Sequence, residues 1–177
     1  MMKIRLRQYQ QTDADIICSW VKTEEELYRW SADRIGVFPV PENRLNEIYA
    51  NVPEDTEFVP VTAVDEDGKP AGHLFIRILP GKPVKTARFG FVIVDPERRN
   101  TGIGEQMLLQ AAMYAQNVLQ AKTASLGVFT DNLPARKCYE KAGFTYLPEK
   151  EFCDTPFGSW ECLEMEMPLC ECRRLKC

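Results

Sequence analysis

The chain has 177 residues and a mass of 20.3 kDa, the size of one ordinary domain, and we expect residues 1–177 to form a single domain. Its 22 Lys and Arg side chains against 26 Asp and Glu give a net charge of -4, which argues against a nucleic-acid partner. With 45% hydrophobic and 27% charged residues, the composition is typical of a globular protein and excludes a disordered chain.

The sequence predicts a cytoplasmic protein with reduced thiols and no membrane partner. It contains no apolar run near the ~20 residues that span a bilayer, and its start lacks the apolar segment of a signal peptide. Its seven cysteines are an odd, unevenly spaced set in a chain large enough to fold without disulfides. The cluster Cys170, Cys172 and Cys177 lacks paired CxxC spacing and a nearby His, so we expect no metal site.

Hydrophobic periodicity in the first half of the chain predicts one strand, three helices and then a hairpin. Thr12 and Asp13 offer capping oxygens for the first helix, and Asp67-Gly68 is a turn dipeptide between the hairpin strands. The acidic run Glu24–Glu26 is typical of the first turn of a helix. In chain order, the predicted elements are a strand at Lys3–Tyr9, helices through Ile16–Val21, Glu24–Trp30 and Glu42–Ala50, and strands at Phe58–Val64 and Gly72–Leu79.

The second half alternates strands and helices. Its clearest pattern is a long amphipathic helix, and a glycine, Gly143, closes the shorter helix that follows. Strands interspersed with helices predict an α/β or α+β sheet with helices packed on its faces. In chain order, the predicted elements are a strand at Ala87–Val94, a helix at Gly102–Leu119, a strand at Ser125–Thr130, a helix at Leu133–Lys141, and strands at Phe144–Leu147 and Glu161–Met167.

The stretch FGFVIVDPERRNTGIGEQML joins a strand to a helix through a glycine-bearing turn. Gly102 and Gly104 lack a Cβ, so backbone N–H groups can approach an anion closely, and the helix adds its positive N-terminal dipole. Arg98 and Arg99 add formal charge nearby. This pattern favours a phosphate site, and taken alone a helix entry that needs flexible residues explains the glycines equally well.

This turn resembles the acyl-CoA-binding motif of the GNAT superfamily of N-acetyltransferases, which reads Arg or Gln, two residues, Gly, one residue, then Gly or Ala. Arg99, Gly102 and Gly104 match it in full. The downstream segment DNLPARKCYEKAGF resembles the second motif of the family, with matches at Asn132, Ala135, Tyr139, Gly143 and Phe144. The resemblance implies a mixed, mostly antiparallel sheet that is splayed at the acyl-CoA site and has helices on both faces.

The resemblance further implies that acetyl-CoA is the co-substrate. A bulge on the motif strand would open the sheet, and the pantetheine arm would pair with the strand edge near Phe91–Val94. A main-chain N–H there, with Val92, Ile93 and Val94 as candidates, would polarise the thioester carbonyl. The CoA pyrophosphate would bind the backbone amides of Arg99, Asn100, Thr101, Gly102, Ile103 and Gly104.

Two residues of the second motif have an alternative structural explanation beside the role that the resemblance implies. Asn132 matches the family Asn that contacts the pantetheine arm, and it is also placed to be a helix N-cap. Tyr139 matches the general acid that protonates the departing CoA thiolate, and its position on a helix also suits packing in the core. Asn132 can serve both purposes, whereas for Tyr139 the acid role and packing alone are competing explanations.

The general base is not assigned from the sequence. The positions at which many relatives carry a Glu hold Arg88 and Gly127, and the alternatives are Asp33, His73, Asp131 or a chain of waters. His73 on a hairpin strand is more typical of a surface or packing residue than of a catalytic one. Candidate wall residues for the acceptor site come from the N-terminal helices and the loop after them: Trp20, Trp30, Asp33, Arg34 and Phe38.

The sequence therefore predicts an acetyl-CoA-dependent N-acetyltransferase in which an amine attacks the thioester directly and Tyr139 donates a proton. The acceptor is a small-molecule amine or a peptide N-terminus, and a homodimer is compatible with the sequence. The alternative is a non-catalytic acyl-CoA-binding sensor module, which the missing base favours. Replacement of Tyr139 by Phe separates the two hypotheses because only an enzyme would lose turnover.

Overall fold

The computed structural model describes residues 3–169 and contains one seven-stranded sheet with helices on both faces. The strand order is β1-β2-β3-β4-β5-β7-β6. In chain order the elements are β1 (Arg5–Gln8), α1 (Ala14–Ser19), α2 (Glu24–Ser31), α3 (Arg44–Ala50), β2 (Phe58–Val64), β3 (Pro70–Ile78), β4 (Thr86–Val94), α4 (Ile103–Asn117), β5 (Thr123–Phe129), α5 (Leu133–Ala142), β6 (Thr145–Thr155) and β7 (Gly158–Pro168).

Every neighbouring pair of strands is antiparallel except β4 and β5, which run parallel in the middle of the sheet. Parallel strands need a crossover connection, and α4 supplies it. The predicted mixed, mostly antiparallel sheet with helices on both faces is confirmed. The two halves of the sheet therefore meet at a single parallel joint.

Two apolar clusters hold the helices against the sheet. On one face, α4 and α5 bury Met107, Leu108 and Phe144 together with the inward residues of the central strands. On the other face, α1, α2 and α3 pack through apolar side chains, including Ile17 and Leu27, against the end of β4. Removal of this apolar surface from water is the main stabilisation of each layer. As a result, β4 is covered on both sides.

One strand and one capping residue differ from the sequence prediction. The strand predicted at Phe144–Leu147 continues to Thr155, because a register shift between Tyr146 and Lys150 accommodates Pro148 at the edge of the sheet. Asp13 was predicted to cap the first helix, but its carboxylate accepts hydrogen bonds from Arg7 and Thr62 instead. Buried beneath α1, it ties that helix to β1 and β2.

Candidate active site

The two parallel strands part soon after they meet. β4 and β5 pair over three residues each, Thr86–Arg88 with Thr123–Ser125, and beyond this joint the two strands diverge. A groove of about 1200 Å³ opens between them, with walls from α2, α4, α5 and β7. Among the described residues, the edge of β4 that faces this groove is paired with β5 only as far as Arg88. Backbone groups farther along that edge are therefore available to a ligand.

A bulge in β4 marks the point where the opening widens. Phe91 has a φ of 51°, and one extra residue of β4 is accommodated between the pairs His73–Ile93 and Phe75–Gly90. The extra residue redirects the following side chains, so Phe91 and Ile93 pack under the N-terminal helices while Val92 packs against the opposite cluster. The bulge expected from the family resemblance is present in the structure.

The turn after β4 presents backbone amides at the mouth of the groove. Asn100 and Gly102 both have left-handed backbone conformations, with φ values of 62° and 85°. Gly102 immediately precedes α4, and the amides of the first turn of a helix have no acceptor within the helix. These amides and the positive end of the helix dipole form an environment suited to an anion.

The two arginines of this turn have different partners. Arg98 forms ion pairs with Asp65 and Asp95, so its charge is already compensated. Arg99 forms no ion pair within residues 3–169, and it lines the groove with Asn100, Gly102, Ile103 and Gly104. Thr101 does not line the groove, since its hydroxyl donates a hydrogen bond to the Arg98 carbonyl at 2.6 Å. Arg99 is thus the free cation of the turn.

Gly104 is required by packing as well as by the shape of the groove. A Cβ at this position would lie 2.8 Å from Sγ of Cys138 on α5, which is closer than van der Waals contact allows. The sulfur of Cys138 therefore sits directly against the start of α4. The sequence-based explanation of this glycine by anion access alone was incomplete.

Tyr139 lies on α5 and reaches the groove from the α4–α5 side of the sheet. The residue is only 7% exposed, yet it contributes to the groove lining. Burial raises the pKa of its phenol, an effect opposed by the nearby positive charge of Arg88. Asn132 caps the same helix by accepting a hydrogen bond from the Ala135 amide, and it also lines the groove.

An ion pair that sequence reasoning missed crosses the floor of the groove. Arg88 extends over Gly127 of β5 to form a bidentate contact with Glu164 of β7, with Nη2 and Oε1 2.9 Å apart. A Cβ on Gly127 would lie 2.8 Å from Nη2 of Arg88, so this glycine provides the path. Only the register of β5 with β7, which places Gly127 opposite Glu164, could have revealed the pair.

The three side chains considered as a general base do not stand free in the groove. His73 is fully buried, shares a hydrogen bond of 2.6 Å with Tyr49, and has its pKa lowered by burial to about 3. Asp131 accepts a hydrogen bond from Arg29 at 2.6 Å. Asp33 does not line the groove. A carboxylate that was not among these candidates, that of Glu164, lies on the groove floor, where it is paired with Arg88.

The wall beneath α1 and α2 is aromatic. Trp20, Trp30 and Arg34 line the groove as expected, whereas Asp33 and Phe38 do not. The ring of Trp30 lies 5.6 Å from that of Phe91, and its indole N–H has no hydrogen-bond partner among the described residues. This wall lies on the face of the sheet that is opposite to α4 and α5.

Residues 3–169 contain neither a membrane-spanning helix nor a metal-binding cluster. None of the helices in this range combines the length and apolar character that a membrane span requires. In the same range, no group of three or more His, Cys, Asp or Glu side chains is arranged to hold a metal ion. The cluster Cys170, Cys172 and Cys177 lies outside the described residues.

Two proteins of known sequence are similar to parts of the chain. The L-amino acid N-acetyltransferase AaaT of Escherichia coli strain K12 is 35% identical over 80 residues, which cover 44% of this chain and 48% of that protein. The UPF0039 protein C11D3.02c of Schizosaccharomyces pombe is 31% identical over 91 residues, or 46% of this chain and 59% of that protein. The matches therefore span about half the length of these curated relatives.

Solved structures support the same fold over nearly the whole chain. The spermidine N-acetyltransferase from Vibrio cholerae, in complex with CoA and spermine, aligns with a TM-score of 0.73 and 19% identity, covering 94% of this chain and 95% of that one. The family model described as "Acetyltransferase (GNAT) family" matches residues 17–144. This match includes the bulged strand, the turn before α4 and the whole of α5. The chain belongs to the GNAT acetyltransferase family.

Proposed function

We propose that this chain is an N-acetyltransferase that moves an acetyl group from acetyl-CoA to a primary amine. The observation that carries the proposal is the groove between β4 and β5, which runs from the amides before α4 to the phenol of Tyr139. One end of this groove suits a pyrophosphate and the other holds a proton donor. Family membership supports acetyl-CoA as the donor.

The acyl-CoA substrate would bind along the open edge of β4. Its pyrophosphate would accept hydrogen bonds from the amides of the turn Arg99–Gly104, with Arg99 as the uncompensated cation. Its pantetheine arm would run between the strands and pair with the edge of β4, beside the side chain of Asn132. Because the turn and the strand edge are fixed by the bulge and by α4, little backbone ordering is needed on binding.

Transfer would occur by direct attack of a neutral amine on the thioester carbonyl. A bond forms between the amine nitrogen and the carbonyl carbon, and an N–H of Val92, Ile93 or Val94 stabilises the resulting oxyanion. The carbon–sulfur bond then breaks, and Tyr139 donates its proton to the departing thiolate. The nitrogen loses its extra proton to solvent, and the phenol is reprotonated in turn.

The electrostatics around Tyr139 suit a proton donor. Burial raises the pKa of the phenol, so the group stays protonated until a strongly basic partner forms beside it. The charge of Arg88 opposes this shift and favours the phenolate that remains after proton transfer. No hydrogen bond to another described side chain occupies the phenol oxygen. The phenol is therefore free to face a substrate.

The test is a thiol-release assay with acetyl-CoA against pools of small amines and N-terminal peptides, corrected for the cysteines of the protein. We expect amine-dependent release of CoA together with an equal amount of N-acetylated product detected by mass spectrometry. Tight CoA binding without release from any pool would contradict an enzymatic role and favour a non-catalytic acyl-CoA-binding module.

A further inference from the structure

Two arginines face each other on the floor of the groove. Arg77 of β3 and Arg88 of β4 are directly opposite in the antiparallel register, so their side chains share one face of the sheet. Both line the groove. Like charges that are directly opposite on neighbouring strands destabilise a sheet unless a counter-charge lies between or beside them.

Among residues 3–169, only one carboxylate compensates this pair. Glu164 contacts Nη1 and Nη2 of Arg88, which leaves the Nε edge of that guanidinium free to bind a second acceptor. Arg77 is exposed and forms no ion pair within residues 3–169. The floor of the groove therefore carries one positive charge in excess, presented by two guanidinium groups.

This excess charge lies close to the proposed reaction centre. The guanidinium of Arg88 sits over Gly127, which is beyond the last β4–β5 pair at Arg88 and Ser125 and thus within the opening. Tyr139, whose phenol is the proposed proton donor, lines the same groove as Arg88. An anionic group bound by the two arginines would hold the rest of its molecule beside that phenol.

We propose that the acceptor is an amino acid, and that Arg77 and Arg88 bind its carboxylate on the face of the sheet opposite α4 and α5. This inference rests on the proposed acetyltransferase function. Guanidinium groups match carboxylates through paired, charge-assisted hydrogen bonds, which favours this ligand over a neutral one. The bound carboxylate would fix the position of the α-amino group, which is the nucleophile.

The remaining lining favours an amino acid with an apolar side chain over a polyamine. Phe75, Phe91 and Trp30 form a continuous aromatic wall, with ring centroids 5.1 and 5.6 Å apart for the two contacts of Phe91. A polyamine needs an excess of negative charge. The described residues that line the groove include eight Arg and Lys side chains against five Glu, so that excess of negative charge is absent.

The test compares each amino acid with the amine that lacks only its carboxylate: leucine with 3-methylbutylamine, and phenylalanine with 2-phenylethylamine. Initial rates with saturating acetyl-CoA give kcat/KM for both members of each pair. With kcat/KM expressed per concentration of neutral amine, so that the different ammonium pKa values of the two members cancel, we expect the amino acid to be preferred by about tenfold or more, the effect of a charge-assisted contact. Equal rates for the two members would overturn the inference while leaving the acetyltransferase function intact.

Substitution of Arg77 assigns the preference to the arginine pair, and because this side chain is exposed, the variant is expected to fold. Arg77→Gln should raise the KM for the amino acid about tenfold with little change in kcat, and Arg77→Lys should retain most of the preference. Arg77→Glu should reverse the preference in favour of the amine. The matched control is Arg5→Gln, an exposed strand arginine on β1 outside the groove.

Three results would count against the proposal in different ways. A preference for amino acids that survives Arg77→Gln and Arg77→Glu would show that the carboxylate binds elsewhere. Preferred acetylation of polyamines would overturn the acceptor class. Absence of acetylation of every amine tested, with CoA still bound, would remove the acetyltransferase function on which this inference rests.

Discussion

The two sides of the groove differ in how far apart their residues lie in the sequence. The proposed acyl-CoA side comes from one continuous stretch, from the bulge of β4 through the turn into α4, with α5 added. The proposed acceptor side combines Arg77, Arg88, Gly127 and Glu164, which lie on four different strands. A continuous stretch can be read as a motif, whereas a set of residues spread over four strands becomes visible only when the sheet is assembled. Donor chemistry is therefore easier to infer from this chain than acceptor identity.

The largest effect is expected at the point where the two sides meet. Tyr139→Phe removes the proton donor without removing the buried ring, so kcat should fall by about 100-fold or more while CoA affinity stays within about twofold. Steady-state kinetics and calorimetric titration with CoA measure the two quantities. Tyr114→Phe is the matched control because Tyr114 lies in a separate groove beside β1 and β2. Unchanged turnover in Tyr139→Phe would assign Tyr139 to packing alone.

Gly104 tests whether the acyl-CoA side is shaped for the ligand or only for its own packing. Gly104→Ala should lower the free energy of unfolding by about 1–3 kcal/mol, because the new methyl group meets the sulfur of Cys138. The double variant Gly104→Ala with Cys138→Ala should recover this stability, as measured by denaturant unfolding. We expect its acetyl-CoA affinity to remain reduced. Full recovery of affinity would mean that the glycine serves packing alone.

A smaller effect is expected for the free cation of the turn. Arg99→Gln should weaken acetyl-CoA binding by about tenfold at low salt and by less at high salt, since the contact is exposed and screened. S-acetylpantetheine, which lacks the pyrophosphate, provides the control, and its KM should be the same for both proteins. An equal loss for both donors would place the pyrophosphate away from Arg99.

The smallest effect concerns pH. The raised pKa of Tyr139 means that the phenol keeps its proton above its ordinary value of 10.0, so log kcat should not fall between about pH 8 and pH 10. Burial lowers the pKa of His73 to about 3, so this residue stays neutral and should contribute no break near neutral pH. The dependence of log kcat on pH, measured for the unsubstituted protein and for Tyr139→Phe, tests the expectation for the phenol. A break below pH 10 that the substitution removes would contradict it.

The order of the elements could be predicted because most of them carry clear local signals. The helix with Met107 and Leu108 on its buried side and the hairpin at Asp67-Gly68 were both located from periodicity and turn chemistry. The last hairpin was predicted too short, because Pro148 and several charged residues conceal an edge strand that tolerates a bulge. An edge strand needs less hydrophobic patterning than a central one.

The acyl-CoA side and the acceptor side of the groove also differ in how far the sequence predicts their residues. Arg99, Gly102 and Tyr139 could be named from the sequence because their spacing follows two motifs, although their roles remain proposals. Glu164 could not, since nothing near it in the sequence distinguishes it from Glu166 or Glu161. Its proximity to Arg88 depends on β7 lying between β5 and β6 and on a glycine at position 127. Such pairing is a property of the strand order and not of local sequence.

The most direct test of the two-sided groove is a crystal structure of the protein with CoA and an N-acetylated amino acid. We predict the pyrophosphate on the amides of the turn before α4, the pantetheine between β4 and β5, and the product carboxylate within hydrogen-bond distance of Arg77 and Arg88. Binding of CoA outside this groove, or of both ligands on the same side of β4, would contradict the account.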